Sequence, residues 1–154
     1  MLPGHHGSHQ AYGVAFGSMA AAALALLMQR SGAKAVRMTP WRTVLLEDAQ
    51  PVGVEGFLTR ATDPGLRADA CPGAPACPQA SVETRALASR LAPHVQGRLH
   101  VSGCPKGCAH GAPADVTLTG RNGLFDLALH ARAGDPPVQA GLRPDQLLAH
   151  FGAD

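Results

Sequence analysis

The sequence contains no isoleucine, only two lysines and few aromatic side chains, which make up 4% of its 154 residues. It also lacks a long apolar run: the longest, over residues 19–28, falls well short of the roughly 20 residues that a membrane-spanning helix needs. No basic residue precedes this run and no clear small-residue cleavage site follows it, so no secretory signal is predicted. We therefore expect a cytoplasmic protein that does not span a membrane.

Basic side chains are present without being clustered. Thirteen Lys and Arg side chains are nearly balanced by eleven Asp and Glu, which leaves a formal net charge of +2. Because no Lys/Arg-rich segment stands out, the sequence argues against a dedicated nucleic-acid-binding protein. Hydrophobic residues make up 45% of the chain, and a nearly neutral chain of this hydrophobicity is expected to fold. We expect neither nucleic acid nor membrane as a partner.

The residue pattern predicts an α+β fold in three segments. Residues 1–10 carry three histidines and are predicted to form a flexible N-terminal arm. Residues 11–66 are predicted to form a ferredoxin-like half-domain, because strands and helices alternate in the β-α-β-β-α-β order of that fold. The predicted strands cover residues 11–16, 35–38, 43–46 and 66–70, and the predicted helices cover residues 19–30 and 54–61.

Residues 67–154 are predicted to form an α/β domain that contains all four cysteines. Asn122 and Gly123 are turn formers between two alternating runs, so they predict a β-hairpin. Pro144 is suited to the first turn of a final helix. The predicted helices of this domain cover residues 81–94 and 144–151, and the predicted strands cover residues 98–102, 116–119 and 124–130.

The cysteines fall in two short loops rich in Gly and Pro. Cys71 and Cys77 stand in CPGAPAC, and Cys104 and Cys108 stand in CPKGC. Four thiolates on such loops suit a [4Fe–4S] cluster, since small residues let the sulfurs and backbone amides approach it. Structural zinc would also use four thiolates, although zinc usually takes gaps of two to four residues. Two disulfides are a further alternative, but they fit poorly in a cytoplasmic protein. Four unrelated buried thiols would not explain why all four cysteines fall in paired loops rich in Gly and Pro.

These cysteine pairs resemble the iron–sulfur signature of the sulfite and nitrite reductase superfamily. Three further sequence segments resemble those of its precorrin-3B synthase branch: RMTPWR (residues 37–42), HVSGCPKGCAH (residues 100–110) and RAGDPP (residues 132–137). The resemblance extends from about Tyr12 to the C-terminus. It covers only the C-terminal one of the two half-domain and cluster-domain copies that members of this superfamily typically contain.

The resemblance implies a ferredoxin-like half-domain followed by a [4Fe–4S] domain of the sulfite/nitrite reductase type. The cluster ligands that the resemblance implies are Cys71, Cys77, Cys104 and Cys108. In members that contain sirohaem, the last of the four thiolates also bridges to the haem iron, and this role would fall on Cys108.

Three basic residues are candidate tetrapyrrole contacts. Arg37 and Arg42 lie around a strand that faces the tetrapyrrole in the family, where they would bind its carboxylates; a surface position at a sheet edge is the competing interpretation. Lys106 stands where many reductases of the superfamily carry Asn, and an exposed loop lysine is the competing interpretation there.

Trp41 is expected to be buried. His110 is expected either to pack beside the cluster or to donate a hydrogen bond or proton, and the other histidines after residue 90 are expected to be structural.

Together these features predict an iron–sulfur oxidoreductase of cobalamin biosynthesis. By resemblance, its reaction would be the oxygen-dependent hydroxylation and lactone formation on precorrin-3A, which is a monooxygenase reaction. A sirohaem-dependent nitrite or sulfite reductase is the second hypothesis, and an iron–sulfur electron-transfer subunit without its own catalytic centre is the third. The expected partners are a tetrapyrrole (precorrin substrate or sirohaem), an electron donor, and a partner chain or second copy that supplies the other half.

Overall fold

The structure is a computed structural model that describes residues 1–153. Two compact units make up the chain, Met1–Leu66 and Arg67–Asp154. Each unit mixes strands and helices, which confirms the predicted α+β class. Within residues 1–153, no helix combines the length and apolar character needed to cross a membrane.

The first unit contains one five-stranded antiparallel sheet and one α-helix. Its strands are β1 (Gly4–His6), β2 (His9–Val14), β3 (Ala35–Met38), β4 (Thr43–Glu47) and β5 (Phe57–Leu58), and its helix is α1 (Ala21–Ser31). Four strands lie in the order β1-β2-β4-β3, and β5 also pairs with β2. Because β4 runs antiparallel to both β2 and β3, these two strands are parallel and α1 connects them in a split β-α-β unit.

The core of the first unit lies between α1 and the sheet. Leu27 of α1 is buried with Tyr12 and Val14 of β2 and with Val44 and Leu46 of β4. The Ala- and Leu-rich sequence favours the helix, and Gly32 ends it in the left-handed conformation with φ of 67°.

Two predictions for this unit need correction. The first ten residues are not a flexible arm, because β1 pairs with β2 and places His6 opposite His9. The helix predicted over residues 54–61 does not form. Gly56 has φ of 91°, which no right-handed helix tolerates, and β5 follows it and pairs with Gly13 and Val14. The ferredoxin-like order therefore retains its first β-α-β-β elements and has a short strand where the second helix was expected.

The second unit contains a mixed five-stranded sheet and two α-helices. Its strands are β6 (Ala68–Ala70), β7 (Leu99–Ser102), β8 (Ala114–Arg121), β9 (Leu124–Ala131) and β10 (Gln139–Leu142), and its helices are α2 (Arg85–Leu91) and α3 (Pro144–Phe151). The strand order is β10-β9-β8-β7-β6. β6, β7 and β8 run parallel, and β8, β9 and β10 run antiparallel to their neighbours.

Several local predictions for this unit are confirmed, and two are corrected. The hairpin joins β8 to β9 through Asn122 and Gly123, whose positive φ values of 53° and 79° suit a two-residue turn. Helix α3 begins at Pro144 and ends at Phe151, as predicted. Helix α2 is shorter than predicted and follows Thr84. The strand predicted over residues 66–70 forms as β6, but it joins the sheet of the second unit.

The sheet of the second unit has two chemically different faces. Partners in register lie side by side on the same face, so Val101 of β7 stands between Ala70 and Leu118. Phe125 on this apolar face lines a cavity together with Leu87 of α2 and Leu148 of α3, which places the helices against it. The opposite face carries a buried polar row: Asp69, His100, Ser102, Thr117, Thr119 and Asp126.

Candidate metal centre

The four cysteines lie on two loops that follow neighbouring strands. Cys71 comes directly after β6, and Cys104 comes two residues after β7. Because β6 and β7 pair in parallel, their carboxyl ends lie at the same edge of the sheet. The topology therefore brings the 71–77 loop and the 104–108 loop to one place, which is the edge where α/β sheets usually carry their ligand sites.

The two loops contact each other through the backbone of Gly103. Its N–H donates a hydrogen bond to the Sγ of Cys71 at 3.2 Å, and its carbonyl accepts one from the N–H of Ser81 at 3.1 Å. A Cβ at this position would lie 2.5 Å from the Cβ of Ala80 and 3.4 Å from the Cα of Gly73. Only glycine therefore fits, and its amide is directed at a cysteine sulfur.

Backbone and hydroxyl hydrogen bonds fix the 71–77 loop. The Oγ1 of Thr84 donates to the carbonyl of Cys71 at 2.5 Å, and the N–H of Cys77 donates to the carbonyl of Gly73 at 2.7 Å. Gly73 has φ of 68°, and a Cβ there would meet Thr84 at 2.7 Å. The residue that precedes α2 therefore packs directly on the turn that separates the first two cysteines.

The 104–108 loop is held from two sides. The Oγ of Ser102 donates to the carbonyl of Cys104 at 2.7 Å. On the other side, a Cβ at Gly107 would lie 3.1 Å from the Cβ of Ala133, and one at Gly134 would lie 3.1 Å from the Cβ of Pro105. The RAGDPP segment therefore packs against the CPKGC segment, although the two are remote in the sequence.

The donor set suits a four-thiolate centre. All four cysteines are free thiols, so the two disulfides are not formed. Cys71 is buried, Cys77 and Cys104 are half-buried, and Cys108 is exposed. Within residues 1–153, no three His, Cys, Asp or Glu side chains are gathered closely enough to hold a metal ion. The four thiols, the paired loops and the close backbone approach at Gly73 and Gly103 suit a thiolate-bound cluster by residue type.

A polar cluster that the sequence analysis missed lies on the polar face of the same sheet. The carboxylate of Asp69 accepts a hydrogen bond from the Nη1 of Arg98 at 2.5 Å, and its Oδ2 lies 3.5 Å from the Nδ1 of His110. The ring of His110 meets that of His100 edge to face, with centroids 5.7 Å apart. These four side chains come from β6, β7 and the segments beside β7.

His100 is the most deeply buried member of this cluster. Its exposed fraction is 0%, and neither ring nitrogen has a hydrogen-bond partner. Burial, assisted by the neighbouring His110 and opposed by Asp69, lowers the pKa of His100 to about 4. The ring is therefore neutral near pH 7, with one N–H donor and one lone pair.

The sequence pattern around His100 predicts a strand with one solvent-exposed face and gives no indication of a buried polar cluster. Polar and apolar residues alternate along β7 and β8, which is the usual pattern of a strand with one face in water. Here the polar face is covered: the Oγ1 of Thr117 donates to the carbonyl of Ala131 at 2.7 Å, and the N–H of Gly134 donates to the Oγ1 of Thr119 at 3.2 Å. The covering loops are remote in sequence, so the alternation alone could not reveal the burial of His100.

The three candidate basic residues are not equivalent. Arg37 lies on β3, largely exposed, and its Nε donates to the carboxylate of Glu47. Arg42 stands in the β3–β4 turn with φ of 54°, and its Nη2 donates to the carbonyl of Leu66 at 2.8 Å. Both arginines belong to the first unit, whereas Lys106 is exposed on the 104–108 loop of the second.

The expectation that Trp41 is buried is wrong, because its exposed fraction is 60%. It stands in the same β3–β4 turn as Arg42, where its N–H donates to the Oγ1 of Thr39 at 3.3 Å. The turn projects this residue away from the core that α1 covers.

Similarity to known proteins gives the context of this site. No family model matches the chain. The chain is 32% identical to a precorrin-3B synthase of Sinorhizobium sp. over 159 aligned positions, which cover 88% of this chain and 35% of that protein. It is 26% identical to a sulfite reductase [ferredoxin] of Mycobacterium tuberculosis over 121 positions, which cover 64% of this chain and 22% of that protein.

The fold is similar to that of a solved structure. The Mycobacterium tuberculosis NirA protein aligns with 90% of this chain at a TM-score of 0.60 and 22% identity, and the match covers 33% of that protein. The chain thus spans about a third or less of the length of the curated relatives that it matches. Sequence similarity and fold together place the chain in the nitrite/sulfite reductase-like superfamily, and the chain corresponds to only part of the length of these relatives.

Proposed function

We propose that the chain is the cluster-bearing part of an oxidoreductase of the precorrin-3B synthase type. In this proposal, the thiolates of Cys71, Cys77, Cys104 and Cys108 hold a [4Fe–4S] cluster. The observation that carries it is the meeting of the two cysteine loops, with the Gly103 amide directed at the Cys71 sulfur. The similarity to precorrin-3B synthase supports the choice of branch, and reduced thiols suit the cytoplasm.

When bound, such a cluster supplies one-electron transfer. The residues of the chain would prepare a rigid and electrostatically balanced place for it. The Gly103 N–H offsets negative charge at sulfur, and Thr84 and Ser102 fix the carbonyls of the first cysteine of each pair. Beneath the loops, Arg98 compensates the buried carboxylate of Asp69. A site that rearranges little is suited to gaining and losing electrons.

The proposed substrate is a precorrin, and the reaction is its oxygen-dependent hydroxylation with lactone formation. Among the candidate contacts, Lys106 is best placed for a substrate carboxylate, since it is exposed between two proposed cluster ligands. Arg37 remains a proposed contact with an exposed side chain. Arg42 is a weaker one, because its guanidinium already binds the Leu66 carbonyl. We expect Lys106→Ala to weaken precorrin binding and leave iron content unchanged, as measured by fluorescence titration.

The proposal includes an electron donor and a further partner. The chain spans only 35% of the precorrin-3B synthase that it matches, so a partner chain or a second copy is proposed to complete the catalytic unit.

A sirohaem-dependent nitrite or sulfite reductase is the second candidate function, and the similarity to a sulfite reductase favours it. In that case Cys108, the exposed cysteine, would be the bridge to the haem iron. An electron-transfer subunit is the third candidate.

The cluster is tested by metal and sulfide analysis of anaerobically purified protein. We expect about four irons and four sulfides per chain, and a loss of most of both in each of the four Cys→Ser variants, because a hydroxyl is a poor soft ligand. A control with His5, His6 and His9 replaced by Gln should retain its iron, which excludes metal bound at the N-terminus. Stoichiometric zinc without labile sulfide would contradict the proposal. Sharp visible bands of sirohaem would favour the second candidate over the first.

A further inference from the structure

His100 is a buried imidazole without a hydrogen-bond partner. Neither ring nitrogen is paired, and the side chain has no exposed surface. An unpaired donor or acceptor at a buried position loses its hydration without compensation, so such groups are rare in folded proteins. The position is therefore expected to serve a partner that the ring meets in the working protein.

Neither polar neighbour of His100 along the sheet is hydrogen-bonded to its ring. On either side along the polar face, Asp69 is bound to Arg98, and the hydroxyl of Thr117 is committed to the carbonyl of Ala131. The Cε1 of the ring, which lies between its two nitrogens, is 3.6 Å from the point where a Cβ on Gly107 would stand. The ring edge that carries the nitrogens thus lies close to Gly107 in the 104–108 loop, the residue that precedes Cys108 in the sequence.

The geometry points to His100 as a hydrogen-bond donor to a cysteine sulfur of the 104–108 loop, an inference that rests on the proposed [4Fe–4S] function. Sulfur is the acceptor that this loop would offer, since cluster ligands are thiolates. The Gly103 amide already donates to a sulfur of the other cysteine pair, so the two donors would serve one pair each. His100 is a positioning residue in this role: its N–H stabilises the reduced, more negative cluster and raises the reduction potential.

The test compares variants of His100 in the anaerobically reconstituted protein. His100→Leu removes both nitrogens at similar volume. His100→Gln and His100→Asn place an amide nitrogen near the position of Nε2 and of Nδ1, respectively. Iron and sulfide are measured first, and the midpoint potential follows from a potentiometric titration monitored by electron paramagnetic resonance. His94→Leu, at an exposed histidine of the same unit, is the matched control.

We expect His100→Leu to keep its iron and sulfide and to lower the equilibrium constant for reduction about tenfold, which is about 59 mV for a one-electron couple. One of the two amide variants should restore the potential and so identify the donating nitrogen, and His94→Leu should leave it unchanged. Equal potentials in the parent and His100→Leu would overturn the inference.

A second measurement, on the parent protein, tests the inference even if His100→Leu loses its cluster. With 15N-labelled histidine, pulsed electron paramagnetic resonance of the reduced parent protein should show coupling of one nitrogen to the cluster spin. Absence of that coupling would also overturn the inference. If the parent protein itself contains no iron and sulfide, the proposed function fails first, and the metal and sulfide measurement that precedes the titration distinguishes this result from a failure at His100.

Discussion

Removing the imidazole of His100 should abolish part of the acid sensitivity of the second unit. The folded protein holds the pKa of this group at about 4, below its usual 6.5, because burial disfavours the charged ring. The unfolded chain therefore binds a proton at a higher pH than the folded one. Stability from this group is fully present above about pH 6.5, is lost as the pH falls, and is exhausted below about pH 4.

The size of the effect follows from the two pKa values. The difference between 6.5 and about 4 corresponds, at about 1.4 kcal/mol per pKa unit, to roughly 3 kcal/mol over the whole window. Between pH 7.5 and pH 5 the expected loss from His100 alone is about 2 kcal/mol. Asp69 and His110 are the neighbours that act on the ring, and Asp69 is bound to Arg98; all three side chains are retained in the variant.

The assay is urea unfolding of the metal-free, reduced protein at several pH values, for the parent and for His100→Leu. The free energy of unfolding should fall more steeply with acid in the parent, and the two curves should diverge by about 2 kcal/mol from pH 7.5 to pH 5. Contributions that the two proteins share cancel in the difference between the two curves. Parallel curves would refute the reasoning and show that the folded protein accommodates a charged ring at this position.

Two further substitutions test the packing of the cysteine loops and the buried charge. Gly103→Ala should destabilise the second unit by about 1–3 kcal/mol, because its Cβ would stand 2.5 Å from the Cβ of Ala80. Gly111→Ala, whose Cβ would meet nothing within 4 Å, should have little effect in the same unfolding assay, and equal losses would contradict the packing argument. Arg98→Met leaves the carboxylate of Asp69 without its cation; a loss of about 1–3 kcal/mol is expected, below the full value of a buried pair because the Arg98 side chain is 41% exposed. Thermal unfolding should register this loss, whereas an unchanged melting temperature would show that Asp69 is neutralised by other means.

The backbone preferences of individual residues determined the turns and helix ends that could be predicted from the sequence. Asn122 and Gly123 tolerate the positive φ of a tight hairpin, Pro144 suits the first turn of a helix, and Gly32 suits a left-handed helix end. Each of these preferences acts within a few residues, so it can be read without knowing the rest of the fold. The helix predicted over residues 54–61 failed because the φ of Gly56 and the pairing of β5 with β2 together decided that segment.

The sequence by itself determined the donor set, since the spacing and the Gly- and Pro-rich setting of Cys71, Cys77, Cys104 and Cys108 are local properties. Only the tertiary structure decided what surrounds it. The parallel pairing of β6 with β7 brings the two loops to one edge of the sheet. The RAGDPP segment and the CPKGC segment then cover a polar face that alternation alone would leave in water, and bury His100 there. These contacts join residues far apart in the chain, and strand register, which no short stretch of sequence specifies, brings them together.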